Sequence, residues 1–335
     1  MTSMNATDGP DILENRLKEL LPGVLDMLLK DHTTQKNIFW ATHDYEHLGA
    51  EYAYFSPITP DLITGDNGHV IMPRNYKSPD IQQKRKREKA EIFTPAWICN
   101  AQLNLIDEQW FGRKDVFNHE NDDHTWTPTE GKIEFPNTKG KTWQDYVRDT
   151  RLEITCGEGP YLASRYDSSN GQPIPLENRI GIIDRKLRVI SENAKTRKEW
   201  LKYARQAFQS SYGYEWQGDN LLLTREAMFY SYIEYFRKQF GPEETPSPRS
   251  LESIAYIISW NVWQMDGLKG VVPDSCKKEQ PGIFGPMKCE CPGCKNGTMR
   301  NHTGTYCLIR DWKAKAKKGE GPGLKTRFVD IIPKR

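Results

Sequence analysis

Two groups of residues in this chain have the types and spacing that chemistry needs. The first is Thr155-Cys156-Gly157-Glu158-Gly159, a turn with two glycines that follows the short lead Leu152-Glu153-Ile154. A strand that stops at such a turn leaves backbone N–H groups free, and residues without Cβ let a ligand approach that backbone closely. The chemistry to expect is the binding of a nucleotide-sized ligand. The second group is Cys289-x-Cys291-x-x-Cys294, followed by His302 and Cys307, with Cys276 upstream. Soft ligands in this arrangement suit a tetrahedral zinc ion, and Pro292-Gly293 supplies the tight turn that a zinc knuckle needs. The expected ligands are Cys289, Cys291, Cys294 and Cys307, with His302 as substitute and Cys276 as spare. Such a site is structural, because four protein ligands leave no open position for water.

Length and composition bound the elements that must hold these groups. With 335 residues the chain has room for about two domains, and a mean hydropathy of −0.76 reads as soluble and polar. No apolar run approaches the ~20 residues of a membrane span, and the N-terminus lacks the apolar core of a secretory signal. A cytoplasmic protein with no membrane partner is expected. The net charge of +2 does not announce nucleic acid, although Gln82 to Lys89 and Lys313 to Lys318 are locally basic. Such runs are solvated helix faces or phosphate contacts. Five of the seven cysteines crowd between Cys276 and Cys307, which in a cytosolic chain argues for metal rather than disulfides.

The pattern along the chain alternates between strand and helix. Residues Asp11 to Lys30 carry leucines at helical spacing, broken near Pro22, and Thr33 to Arg74 is aromatic and loop-like. Thr94-Pro95 reads as a helix start, with the hydroxyl as cap and proline at the first helical position. A strand then runs to Thr155, with a helix-compatible run after the glycine turn and a long helical region from Leu176 to Ser211. The next strand ends in Glu215, and a helix continues through Leu222 to Phe236. A third strand within Ser259 to Leu268 ends in Asp266. In an alternating α/β nucleotide fold, an acid ending the second strand accepts the ribose hydroxyls. Here it lies about sixty residues past the glycine turn rather than the ~20 of the dinucleotide fingerprint, which calls for a helical insertion. Asp266-Gly267 is either a site for an adenine amino group or a plain turn.

Taken together, Phe93-Thr94-Pro95, Thr155-Cys156-Gly157-Glu158-Gly159-Pro160-Tyr161-Leu162, Tyr214-Glu215 and Gln264-Met265-Asp266-Gly267-Leu268 stand in a familiar order. The chain resembles the N6-adenine DNA methyltransferases of restriction-modification systems, in particular those labelled restriction endonuclease subunit M, over roughly residues 85–275. The resemblance implies a Rossmann-like α/β sheet that binds S-adenosylmethionine. Carried over, Phe93, Thr94 and Pro95 flank the methionine end, and Glu153 stands where the family has Asp. Cys156, Gly157 and Gly159 form the cradle with Thr155, Glu215 accepts the ribose hydroxyls, Trp216 lies against the adenine, and Asp266 accepts from its amino group.

The organisation expected from this is a helical or irregular segment over residues 1–84 and a methyltransferase-like domain over 85–275. A Cys-rich zinc insertion follows over 276–320, then a final strand and tail over 321–335. Phe328 to Arg335 reads as a fourth strand. The Asn/Asp-Pro-Pro-Tyr/Phe segment with which that family grips a flipped amino group does not occur in these residues. The function implied is a DNA adenine methyltransferase, or one subunit of a split enzyme whose partner carries the catalytic loop. Tyr166 and Asp167 are alternative handlers of the amine. A methyltransferase-fold subunit that binds DNA without catalysis is the rival, and a nuclease a lesser one, since Pro79-Asp80 and Pro60-Asp61 lack a convincing completion of a metal motif. Lys288, Lys295, Arg300, Arg310 and Lys313 near the cysteines are expected to meet DNA phosphates.

Overall fold

Three short segments pair side by side and in chain order: β1 (Arg151–Glu153), β2 (Ser211–Glu215) and β3 (Val262–Gln264) form a parallel sheet. Glu153 stands opposite Gly213, and Glu215 opposite Gln264, so all three strands finish at one edge. A computed structural model of the chain gives this arrangement and describes residues 14–89, 91, 94–276, 279–280, 287–288, 291–316, 319 and 321–332. The fold is mixed α/β, with small sheets.

Parallel neighbours need long crossovers, and helices supply them here. The chain enters through α1 (Glu14–Leu20) and α2 (Val24–Leu29), separated near Pro22 by Gly23 at φ 86°. It continues through α3 (Pro79–Lys89) and α4 (Ala96–Phe111). Between β1 and β2 lie α5 (Ile182–Asn193) and α6 (Arg197–Gln209). Between β2 and β3 lie α7 (Gly218–Phe240) and α8 (Pro248–Asn261). Every residue of α7 from Gly218 to Ile233 is buried, which marks it as the central helix of the core.

Side chains alternate across the strands, so the sheet has two different faces. One face meets the main helical core, which includes Val262 and Leu162. On that face Gly213 leaves room for Leu162 and Cys156; a Cβ there would stand 2.7 Å from Leu162 Cδ1. The other face presents Tyr212, Tyr214 and Trp263, which cluster with Cys307, Ile309 and Phe328 from the C-terminal segment. That segment contains the antiparallel pair β4 (Leu308–Asp311) and β5 (Leu324–Arg327).

Three local expectations are corrected. The stretch from Phe328 is not a fourth strand: Phe328–Ile331 is a helical turn that carries the Phe328 ring over Trp263, with centroids 5.3 Å apart. Residues 333–335 lie outside the described part. The helix-compatible run after the glycine turn forms only a single turn, Tyr161 to Ala163, before a loop containing Pro173 and Pro175. The helix resumes at α5, whose Ile182 and Ile183 N–H groups bond the Tyr161 and Leu162 carbonyls at 2.7 and 2.9 Å. Finally, Pro95 is itself the cap of α4 in an extended conformation, and the Thr94 hydroxyl makes no cap bond.

The N-terminal stretch is pressed against the start of α7. Gly218 N donates to Trp40 O at 3.0 Å, and a Cβ on Gly218 would stand 2.2 Å from Phe39 O. Because that neighbour is backbone and cannot swing away, Gly218→Ala should cost about 1–3 kcal/mol of stability. Urea unfolding with a lowered midpoint and unchanged slope is the expected result; an unaltered midpoint would contradict this close approach.

Candidate functional site

The glycine turn sits at the carboxyl edge of the sheet, where ligands of open α/β sheets bind. Thr155, Gly157 and Gly159 have φ of 45°, 54° and 75°, a left-handed conformation that costs a β-branched residue such as Thr155. Cys156 N is tied to Tyr214 O at 2.8 Å, and Gly159 N to Cys156 O at 2.7 Å. Helix α7 braces the turn: Thr224 Oγ1 donates to Gly157 O at 2.7 Å, and its methyl would stand 2.7 Å from a Cβ on Gly159. The Cys156 thiol is buried beside Thr224, and burial pushes its pKa well up.

Carboxylates close the turn from both sides. Glu215 Oε2 accepts from Gly157 N at 2.9 Å and its Oε1 from Gln217 N at 3.3 Å. Glu153 turns inward and accepts from Tyr161 N and Leu162 N at 3.3 and 2.9 Å. Glu158, the residue between the glycines, is also buried and accepts from Arg74 N at 2.6 Å and Tyr166 Oη at 2.7 Å. Burial raises all three acids. It carries Glu215 up to about 7 against the N–H donors of Gly157, Gln217 and Trp216. It carries Glu158 up to about 7 against the pull of Lys77.

The remaining expected residues divide. Trp216 borders Glu215, and its indole N–H donates to Tyr54 Oη at 3.1 Å. Thr94 is drawn to the turn through Tyr161, whose hydroxyl lies against the Thr94 and Cys99 side chains. Pro95 follows it at the head of α4, and Phe93 lies outside the described residues. Asp266 reaches the same edge just past β3, yet both its oxygens are engaged in its own turn. One accepts from Leu268 N at 3.0 Å and the other meets Lys269 Nζ at 2.8 Å.

A buried ionic cluster behind the turn escaped sequence reasoning. Asp219, at the start of α7, receives Tyr45 Oη at 2.8 Å, Lys77 Nζ at 2.9 Å and Arg85 at 2.5 Å. Arg85 also reaches Asp44 and Glu91, and Glu91 is bonded by Asn220. The Arg85 side chain, set in the basic run of α3, therefore points into the protein. The only sequence signal was an acid placed directly after Gly218 at the head of an apolar helix.

The cysteines assemble differently from expectation. Cys276, Cys291, Cys294 and His302 bring their ligand atoms within 4.8 Å of one another, a Cys3His set able to hold a metal such as zinc. Cys307 is not part of it. It is fully buried on the aromatic face of the sheet, and its thiol donates to Gln264 O at 3.3 Å, because the start of β4 must cover Trp263 and Met265. Cys289 lies outside the described residues. At Cys291, N–H donors from Cys294 and Thr303 outweigh burial and bring the thiol down to about 5. Three of the nearby cations expected at DNA contact other parts of this chain. Arg310 is buried against Trp260, Arg300 bonds the Val329 and Ile332 carbonyls, and Lys313 meets Thr150. Lys295 is exposed, and the Lys288 side chain lies outside the described part.

An open groove lined by Phe135, Lys141, Trp143 and Asn193 contains none of these residues. Among the described residues no helix is long and apolar enough to cross a membrane. No protein-family model matches the chain, and neither does any curated protein or solved structure.

A carboxyl whose pKa is raised by folding takes up a proton between its unfolded and folded values. For Glu215 the resulting stability is present below about pH 4.5 and lost as pH rises through about 7. The unfolding free energy of the wild type relative to Glu215→Gln should therefore fall between about pH 4.5 and 8. Urea denaturation at a series of pH values measures it; a flat or rising difference contradicts the buried, protonated carboxyl.

Proposed function

We propose that the chain binds S-adenosylmethionine at the carboxyl edge of β1, β2 and β3 and acts as a DNA adenine-N6 methyltransferase, or as the cofactor-binding subunit of one, in a restriction-modification system. The observation that carries this reading is the 2.9 Å bond from Gly157 N to Glu215 Oε2, which joins the glycine turn to the acidic end of the adjacent parallel strand. The strands run in sequential order, as in one half of a doubly wound Rossmann-like sheet, and an adenosine ribose set in that crevice would meet Glu215. An ionised carboxylate has about four acceptor sites, and with Gly157 N, Gln217 N and Trp216 N on Glu215 about one is left, so two ribose hydroxyls would have to displace one of these donors.

Trp216 stands next to Glu215 and offers a flat surface to an adenine ring. Thr94 and Pro95, drawn in by Tyr161, border the far end of the turn, where a methionine moiety would extend. Asp266 contributes less: its carboxylate is occupied by Leu268 N and Lys269, so an adenine amino group would have to displace one of them. Transfer itself needs a group that hydrogen-bonds the target amine while the base is held out of the duplex. The tetrapeptide that does this in the resembled family is absent from these 335 residues. That absence favours, as second reading, a subunit that binds cofactor and DNA while a partner subunit supplies the catalytic loop and target recognition. The Cys3His cluster enters both readings as a structural support.

Isothermal titration with S-adenosylmethionine tests the reading. Glu215→Ala should weaken binding about tenfold or more, equivalent to ~1.4 kcal/mol, because a charge-assisted bond to the ribose is lost. Asp167→Ala, placed after the turn, should bind as the wild type does. No detectable heat with the wild type at any pH from about 6 to 8, where Glu215 changes charge, would defeat the proposal.

A further inference from the structure

Past the third strand the chain doubles back before reaching the cysteines. Asp266 bridges to Val271 and Val271 to Tyr306, while Val272 N donates to Thr305 O at 2.8 Å and Cys307 N to Gly270 O at 3.1 Å. Cys276 leaves this ribbon on one side and His302 enters it on the other. Between them, Cys291 caps α9 (Pro292–Asn296), and Cys294 lies within that helix.

The three edges that meet at His302 have the length a zinc tetrahedron needs, and all four ligand atoms lie within 4.8 Å of one another. His302 Nδ1 lies 3.6, 3.4 and 3.7 Å from the Sγ atoms of Cys276, Cys291 and Cys294. Zinc holds thiolate sulfur at about 2.3 Å and imidazole nitrogen at about 2.0–2.1 Å, which at the tetrahedral angle makes each N···S edge about 3.6 Å. The observed edges bracket that value. The other ring nitrogen, Nε2, lies 2.6 Å from Thr298 O; as its donor it leaves the Nδ1 lone pair facing the three sulfurs. Thr303 N donates to Cys291 Sγ at 3.2 Å, an outer hydrogen bond of the kind that supports a metal-bound thiolate.

The local backbone is shaped to allow this approach. A Cβ on Gly293 would stand 2.7 Å from His302 Nδ1, and one on Gly304 would stand 3.1 Å from Cys276 Sγ. Neither position accepts a side chain without moving a ligand. A disulfide would use two of the three thiols and leave the third and the imidazole without a common partner.

We propose that the chain binds one zinc ion through Cys276, Cys291, Cys294 and His302 Nδ1, and that the ion staples the ribbon after β3 to the helix-bearing knuckle. Each thiol gives up its proton to solvent as its thiolate bonds the metal, while the imidazole binds as the neutral ring. The closed shell makes the ion a fastening and not a reaction centre. It joins Cys276 to Cys291 and His302, positions separated in sequence, and a metal clip of this kind offsets the entropy of closing the chain between its ligands. This proposal does not depend on what the glycine turn binds.

Elemental analysis of the full chain, purified without chelator, should give one zinc per chain. Cobalt(II) in its place should show the intense visible bands of a tetrahedral site and the near-ultraviolet charge transfer of three thiolates. Cys276→Ser and His302→Ala should each weaken metal binding by about tenfold or more, whereas Cys307→Ser should retain it. Should those variants fold poorly, the cobalt spectrum of the unaltered chain still decides. Zinc below about a tenth of an equivalent, or an octahedral cobalt spectrum, overturns the proposal. Metal lost in Cys307→Ser but kept in Cys276→Ser overturns the ligand set.

Discussion

The carboxyl edge of the parallel sheet depends on one contact, the Gly157 amide donating to the Glu215 carboxyl at 2.9 Å. It exists because β1 and β2 are adjacent and parallel, so the turn after one and the acid ending the other arrive at the same height. It also needs the left-handed backbone at residues 155, 157 and 159, which turns the amide inward. A typical hydrogen bond contributes about 0.5–1.5 kcal/mol, and removing the Gly157 donor would leave the buried Glu215 carboxyl with only the N–H groups that follow it, such as Gln217 N at 3.3 Å. Thr224 on α7 holds the carbonyl of the same residue. The turn is thus held through both backbone polar groups of one residue, Gly157.

The helix that clamps the turn is itself anchored by charge. Asp219 has no exposure, and its partners Tyr45, Lys77 and Arg85 come from segments far apart in sequence. Breaking one side of a buried ion pair typically costs about 3–5 kcal/mol, since the survivor is left uncompensated. The cluster therefore sets the position of the first turn of α7, and with it Gln217 and Glu215 just upstream. Gln264 adds a second tie by bonding the backbone of both Phe39 and Trp216. Through these contacts the irregular N-terminal stretch forms one wall of the site.

Much of this was legible wherever a backbone rule acts locally. The glycine spacing marked the turn, a short apolar lead and two aromatic segments ending in acids marked the strands, and Pro22 marked the break between α1 and α2. What stayed hidden was tertiary in origin. Arg85 sits in a run that reads as a solvated face, and only the folded chain brings Asp44, Glu91 and Asp219 around it. Cys307 has metal-like spacing, but the aromatic face of the sheet needed a small buried residue there. His302 takes the place expected of a cysteine because the pairing of Val271 with Tyr306 aligns it with Cys276. The fourth strand failed for a similar reason, as Phe328 turns back to cover Trp263.

The account stands or falls on what binds at the carboxyl edge of the sheet beside Gly157. A crystal structure of the chain grown with S-adenosylhomocysteine examines it directly. The account predicts ligand density over residues 155 to 159, with both ribose hydroxyls on Glu215 and the adenine beside Trp216. Density elsewhere, such as in the groove lined by Phe135 and Trp143, or a ribose that makes no contact with Glu215, would contradict it.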